Sequence, residues 1–252
     1  MKIEFLKQYK NKIVLITGVS GQIGNFTVKF FLKLGCIVYG IDIKKSKIKS
    51  KKFIFKQFDI SDAQRLQNFI NEIYKKYKRI DVVINNAAVS YKTNFKNRTG
   101  EELKETVDIN LLSPINIIKI ISKKHNSKLT CKIINIGSIY GVRSPDFNIY
   151  DNYNNMNSEI YGSSKAAIIQ ITKYFAVLLA SKNIIINCIS PGGLKNKNVQ
   201  KNKFILNYSK KVPLRRMCKE DDLKMALLYF SNKETNYTTG QNLIIDGGFT
   251  LC

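Results

Sequence analysis

Ser138, Tyr161 and Lys165 have the types and the spacing for proton transfer coupled to hydride transfer. Ser138 follows the apolar run Cys131-Lys-Ile-Ile-Asn-Ile-Gly137, which reads as a buried strand, so its hydroxyl stands at a strand end. Tyr161 and Lys165 lie four positions apart, and residues i and i+4 share a helix face. An ammonium beneath the phenol lowers its pKa electrostatically. Tyr161 would then act as general base toward an alcohol or as acid toward a ketone. Ser138 would hydrogen-bond the substrate oxygen as charge develops on it. The hydride itself belongs to a cofactor. With 13 tyrosines in a lysine-rich chain, the spacing alone is weak. It also occurs at Tyr74/Lys78 and Tyr229/Lys233, but only Tyr161/Lys165 has the serine upstream on a strand end.

The elements that must position these groups alternate between strand-like apolar runs and amphipathic helices, the pattern of a parallel sheet wrapped on both faces. Strands are predicted at Lys12–Thr17, Ile37–Asp42, Phe53–Phe58, Asp81–Asn85, Ile133–Ile136, Ile184–Ile189 and Asn242–Ile245. Helices are predicted at Gln22–Leu34, Asp62–Tyr77 (with Ser61 or Asp62 as N-cap), Glu101–Ser122 with an interruption near Pro114, Tyr161–Ser181, Val199–Tyr208 and Glu220–Phe230. Right-handed crossovers then give an α/β fold, a doubly wound parallel sheet in three layers. No linker, repeat or composition break divides residues 1–252, so one domain is expected.

The first strand runs into Gly18-Val-Ser20-Gly21-Gln22-Ile23-Gly24 and then a helix. Glycines at such a turn let backbone N–H groups approach a pyrophosphate, and the helix N-terminus adds its positive end. Asp42 closes the second strand, 18 residues after Gly24. Its carboxylate can accept from ribose hydroxyls and would repel the 2′-phosphate of NADP, which favours NAD. Lys44 and Lys45 could neutralise that phosphate, so NADP stays open. Asp59, ending the third strand, is either an adenine-edge contact or a helix cap.

Composition narrows the partners. No apolar stretch approaches the roughly 18 residues that suggest a membrane span, and the N-terminus carries no signal-peptide pattern. Five dispersed cysteines without Cys-x-x-Cys argue against a disulfide framework or a metal site and fit a reducing cytoplasm. His125 sits in a Lys-Lys-His-Asn-Ser stretch that reads as a solvated helix end. The net charge of +24 raises the question of nucleic acid. However, abundant Lys, Asn and Ile with scarce Arg is the signature of an A/T-rich coding sequence, and no nucleic-acid-binding motif accompanies it.

The ordered set Thr17–Gly24, Asp59-Ile60, Asn85-Asn-Ala-Ala88, Asn110, Ser138, Tyr161/Lys165, Pro191-Gly192 and Gly240-Gln-Asn…Asp246-Gly-Gly248 resembles the compact branch of the short-chain dehydrogenase/reductase family over nearly the whole chain. The resemblance implies a Rossmann-type fold, nicotinamide chemistry and a tetrad of Asn110, Ser138, Tyr161 and Lys165. It implies cofactor contacts from Gly18, Ser20, Gly21, Gln22, Ile23, Gly24, Asp42, Asp59, Ile60, Asn86, Ala87, Tyr161, Lys165, Pro191 and Gly192. Asn110 would fix a water or backbone geometry linking Lys165 to solvent. The family's habit of packing the helices at Glu101–Ser122 and Tyr161–Ser181 between subunits implies a homodimer or homotetramer.

Three features depart from the family pattern. Gln22 stands where a glycine is usual. Lys195 and Asn196 occupy the stretch after Pro191-Gly192 where a threonine is common. The interval from Ser138 to Tyr161 is wider than usual, adding residues 143–159. This insertion should border the active-site mouth, opposite a helical lid near 194–215. Its Asn, Asp and Tyr content suits hydrogen bonding to a small polar substrate, a polyol above all, better than burial of a sterol or long acyl chain, and Arg143 could anchor a phosphate. The candidate substrate contacts are Ser138, Tyr140, Arg143, Tyr161 and Gly193. The run from Ser138 to Tyr150 also resembles oxidoreductases of bacterial surface and flagellar glycan synthesis. Together these favour an NAD-dependent dehydrogenase of a sugar, sugar phosphate or nucleotide sugar. The alternatives are an NADPH-dependent 3-oxoacyl-carrier or carbonyl reductase, and a nucleotide- or nucleic-acid-binding protein without turnover.

Overall fold

The structure is a computed structural model that describes residues 6–150, 156–196 and 198–252. Seven strands, β1 (Ile13–Thr17), β2 (Ile37–Asp42), β3 (Phe53–Gln57), β4 (Val82–Asn85), β5 (Cys131–Ile136), β6 (Ile184–Pro191) and β7 (Asn242–Ile245), form one sheet. Their order is β3-β2-β1-β4-β5-β6-β7 and every pairing is parallel. The chain moves outward from β1 to β3, then returns to lay β4 on the other side of β1. That reversal opens a crevice at the carboxyl ends of β1 and β4.

β1 is buried along its whole length, as expected for a strand covered on both faces. Ile13 and Leu15 face a core built with α2 (Ala63–Tyr77), α4 (Ser113–Lys124) and α5 (Glu159–Leu179), through Leu66, Ile70, Ile117, Ile121 and Leu179. Val14 and Ile16 face the opposite core, built with α1 (Gln22–Lys33) and α7 (Lys224–Ser231), through Val28, Phe31, Leu227 and Phe230. The period-two alternation thus divides one strand between two helix layers. The expected three-layer, single-domain architecture is what the chain adopts. Among the described residues, no helix is long and apolar enough to cross a membrane.

Three predicted helices are altered: the expected Glu220–Phe230 helix opens with a 3-10 turn over Glu220–Leu223 before α7, and in the other two local chemistry competes with the ladder. The expected Glu101–Ser122 helix is split into α3 (Gly100–Val107) and α4 by a π-turn over Asp108–Leu112. Pro114 has no N–H for the carbonyl of Asn110. The ladder slips by one residue, and the Ser113 N–H donates to the Asp108 carbonyl. The expected Val199–Tyr208 helix begins later, as α6 (Asn202–Lys211). The preceding residues are drawn into a turn around Asn196, whose carbonyl and side-chain oxygen accept from the N–H groups of Gln200 and Asn198.

Candidate active site

Ser138 leaves β5 two residues after its end and caps a short 3-10 turn, its Oγ accepting from the Tyr140 N–H at 3.1 Å. Gly137 packs against neighbouring side chains: a Cβ there would lie 2.5 Å from Ser190 Oγ and 2.9 Å from Cys188 Sγ. Ser158 caps α5 by accepting from the Tyr161 N–H at 3.2 Å, so the helix starts just before Tyr161. One turn on, Lys165 is buried and donates from Nζ to the Ile136 carbonyl at 2.8 Å. Its ammonium lies 5.6 Å from the Tyr161 ring centroid. Burial lowers the Lys165 pKa to about 8. Burial raises that of Tyr161 and a hydrogen bond with Ser138 only partly opposes the rise, so the phenol lies above its ordinary value, not below it as the neighbouring ammonium was expected to bring it. The three predicted groups therefore meet at one point.

Asn110, in the π-turn, grips the loop after β4. Its Oδ1 accepts from the Val89 N–H at 2.8 Å, and its Nδ2 donates to the Val89 carbonyl at 3.0 Å. The same Nδ2 donates to Ser164 Oγ, which donates to the Tyr161 carbonyl at 2.7 Å. Asn110 is thus joined to the base of α5 through side-chain and backbone bonds.

The predicted nucleotide residues line a groove of about 470 Å³ at the β1/β4 crevice, including Gly18, Ser20, Gly21, Gln22, Ile23, Asp42, Asp59, Ile60, Asn86 and Ala87. Gly24 lies beneath it, where an added Cβ would fall 2.0 Å from the Gly18 carbonyl oxygen. Gly18 has φ +69, and its Cβ would come within 2.7 Å of Ala87 Cα. Gly21 is different: it is the N-cap of α1, and a Cβ there would meet nothing nearer than 3.4 Å within the chain. Asn86 donates from Nδ2 to the Thr17 and Gly18 carbonyls, locking the turn's shape. The Asp42 carboxylate accepts from the Ser20 and Lys44 N–H groups, each at 2.8 Å. These features fit a dinucleotide: free N–H groups at a helix start, a close backbone approach, and an oriented carboxylate on the far side.

Ile23, Asn86, Ala88 and Leu194 also line a second cavity, of about 380 Å³, which holds Ser138, Tyr161 and Lys165 together with Pro191, Gly192 and Gly193. Its far side carries Tyr140, Tyr150, Phe204, Tyr208 and Met217, interspersed with Lys92, Asn157, Gln200 and Lys201. The hydroxyls of Tyr140 and Tyr150 are 2.6 Å apart, and Tyr208 accepts from the Gly193 N–H at 2.6 Å while stacking on Phe249. Tyr150 comes from the insertion and Phe204 and Tyr208 from α6, so both predicted bordering segments reach the cavity; residues 151–155 and 197 lie outside those described. Sequence reading missed the α6 pair, although Phe204 and Tyr208 are four apart on one helix face.

Arg143 is not brought to this cavity. Its guanidinium donates to the carbonyls of Phe249 and Cys252 and lies 5.4 Å from the Phe249 ring centroid. It lines a separate cavity between the insertion and the start of α5. The expected phosphate anchor is therefore a tether for the C-terminal segment.

A family model described as enoyl-(acyl carrier protein) reductase matches residues 18–250. The 3-oxoacyl-[acyl-carrier-protein] reductase of Thermotoga maritima is 27% identical, over 96% of this chain and 99% of that protein. An NAD-dependent glycerol dehydrogenase of Listeria innocua is 26% identical, over 96% and 94%. Among solved structures, a short chain dehydrogenase from Leptospira borgpetersenii with bound NAD+ matches with TM-score 0.87 and 37% identity, covering 96% of this chain and 93% of that one. A 4-hydroxyisoleucine dehydrogenase complexed with NADH matches with TM-score 0.84 and 25% identity, over 96% and 100%.

Proposed function

The chain belongs to the short-chain dehydrogenase/reductase family, and from that premise we propose that it is an NAD(H)-dependent oxidoreductase interconverting a ketone and a secondary alcohol, with a 3-oxoacyl thioester as the ketone. The observation that carries this reading is the position of Ser138, Tyr161 and Lys165, where the nucleotide groove meets a cavity whose far side bears Phe204, Met217 and the rings of Tyr140, Tyr150 and Tyr208 among polar neighbours. That side suits an acyl chain better than the bare polyol the insertion's composition suggested. Arg143, the side chain expected to hold a sugar phosphate, is tied elsewhere. The name of the Thermotoga relative agrees with this substrate class.

The cofactor, when bound, supplies or removes the hydride. Tyr161 donates its phenolic proton to the ketone oxygen as negative charge builds there. Ser138 donates a hydrogen bond to the same oxygen. Lys165, as ammonium, stabilises the phenolate that remains. Asn110 keeps the Val89 loop and the base of α5 in register, so these distances hold. Asp42 selects against a 2′-phosphate by like charge.

Supporting features extend the proposal to assembly and location. Tyr174, Val177 and Leu178 leave an apolar patch on α5, and Leu243 and Ile244 leave another on edge strand β7. Two such faces suit a homotetramer, which light scattering tests. The five cysteines are free thiols, consistent with a reducing cytoplasm that supplies the cofactor.

NADH consumption with purified protein, across 3-oxoacyl N-acetylcysteamine thioesters, simple ketones and oxidised polyols, tests the function. Turnover of the thioesters supports it. Turnover confined to the polyol series would replace it with the sugar-type reading, which the name of the glycerol dehydrogenase relative favours.

A further inference from the structure

Two of the departures from the family pattern touch each other. Gln22 is the first residue of α1, immediately after the Gly21 N-cap, so its backbone belongs to the turn that faces the nucleotide groove. Its side chain reaches across to a distant part of the chain. Nε2 donates to the Lys195 carbonyl at 2.8 Å and to Glu220 Oε1 at 2.9 Å, and Oε1 accepts from Asn196 Nδ2 at 3.4 Å. Both donors and the acceptor of the amide are in use.

Lys195 and Asn196 form one side of the neck of the lid. The neck is stitched by the Cys218 N–H to the Gly193 carbonyl at 3.0 Å and by the Lys195 N–H to the Cys218 carbonyl at 2.9 Å. From Asn196 the contacts run inward. Its N–H donates to Gln200 Oε1 at 2.7 Å, and Gln200 Nε2 donates to the Leu194 carbonyl at 2.8 Å. Gln200 lines the substrate cavity beside Val199, Lys201, Phe204 and Tyr208. One side chain thus links the nucleotide turn to the wall of the catalytic cavity through a continuous set of hydrogen bonds.

We propose that Gln22 is a positioning residue whose side chain couples occupancy of the nucleotide groove to the seating of the lid over the substrate cavity. The proposal rests on the dinucleotide reading of the groove. A diphosphate held by the N–H groups at the start of α1 restrains the Gln22 backbone. The restrained backbone fixes the amide, the amide fixes Lys195 and Asn196, and the neck carries α6 into place. By linkage the effect is reciprocal: a seated lid holds the turn in its binding shape.

Hydrogen exchange of the lid, with and without NADH, is read alongside NADH affinity and steady-state kinetics on acetoacetyl N-acetylcysteamine. Wild type, Gln22→Ala, Gln22→Glu and the pair Gln22→Glu/Glu220→Gln are compared. In the wild type, NADH slows exchange over α6. Gln22→Ala still binds NADH through its backbone, but α6 gains no protection. Its KM for the thioester rises about tenfold, a typical coupling magnitude, with kcat little changed. Gln22→Glu sets a carboxylate against Glu220 and the Lys195 carbonyl, so its KM falls as pH is lowered and the acid regains a donor; Gln22→Ala shows no such pH dependence. The double variant regains part of the loss, because the amide introduced at position 220 can donate to the carboxylate introduced at position 22. NADH protection of α6 in Gln22→Ala equal to that of wild type would overturn the coupling, as would NADH bound to wild type with no protection of α6. Failure of the wild type to bind NADH would overturn the dinucleotide reading as well.

Discussion

Lys165 Nζ lies 2.8 Å from the carbonyl oxygen of Ile136, the last residue of β5. This bond ties α5 to the strand that delivers Ser138 two residues later, and it leaves the ammonium 5.6 Å from the Tyr161 ring centroid. A single buried side chain therefore sets the spacing of the cluster, while burial and the Ser138 hydrogen bond govern the Tyr161 phenol.

Burying that cation has a cost that depends on pH. The Lys165 pKa falls from 10.5 to about 8 on folding, mainly by desolvation. Below pH 8 both folded and unfolded states carry the proton, and the folded state bears the full penalty. Between pH 8 and 10.5 the unfolded state binds more protons, so stability rises with pH; above that window the penalty is gone. Lys165→Met should therefore be more stable than wild type at pH 7, by up to about 3 kcal/mol. The advantage should shrink as pH climbs through this range. Urea midpoints of the two proteins at several pH values check this, and a pH-independent difference would contradict it.

The three glycines of the turn should respond differently to alanine. Gly24→Ala and Gly18→Ala force contacts of 2.0 Å and 2.7 Å on backbone atoms, and Gly18 also has φ +69. Both should unfold the turn and lower stability by more than about 3 kcal/mol. Gly21→Ala meets nothing within 3.4 Å and has φ −71, so it should fold with near-native Tm and lose about tenfold or more in NADH affinity. Thermal melts paired with NADH titration separate the two outcomes.

Asp42 should set cofactor choice. With its carboxylate held by the Ser20 and Lys44 N–H groups, wild type should favour NADH over NADPH in kcat/KM by about tenfold or more. Asp42→Ala should narrow or reverse the ratio, since Lys44 would then face the 2′-phosphate unopposed. An NADPH preference in the wild type would contradict the assignment.

Arg143→Ala removes hydrogen bonds to Phe249 and Cys252 and the contact with the Phe249 ring. It should lower stability by about 1–2 kcal/mol. The KM for phosphorylated and unphosphorylated substrates should change alike. A selective rise for the phosphorylated form would return Arg143 to the substrate site.

β2 and β7 begin and end where their apolar runs do, and the Ser138–Tyr161–Lys165 cluster follows from one strand end and one helical turn. These were legible because each depends on neighbours within a few residues. The slip at Asn110 was only half legible, since Pro114 announces a disruption but a π-turn leaves no trace in hydrophobic periodicity. Arg143 and Gln22 were not legible. Their partners lie 106 residues away at Phe249, and 173 and 198 residues away at Lys195 and Glu220. A long polar side chain reads in sequence as available to a ligand, and only the fold shows that it is engaged within the chain.

The proton-donor role of Tyr161 is tested by comparing wild type with Tyr161→Phe for NADH binding and for NADH-dependent reduction of acetoacetyl N-acetylcysteamine. Similar NADH affinity and a kcat lowered by about 10²–10⁴, the contribution of a positioned general acid, are expected. Undiminished turnover in Tyr161→Phe would contradict that role, since the proton would then come from elsewhere and the cluster around Lys165 would have no catalytic role.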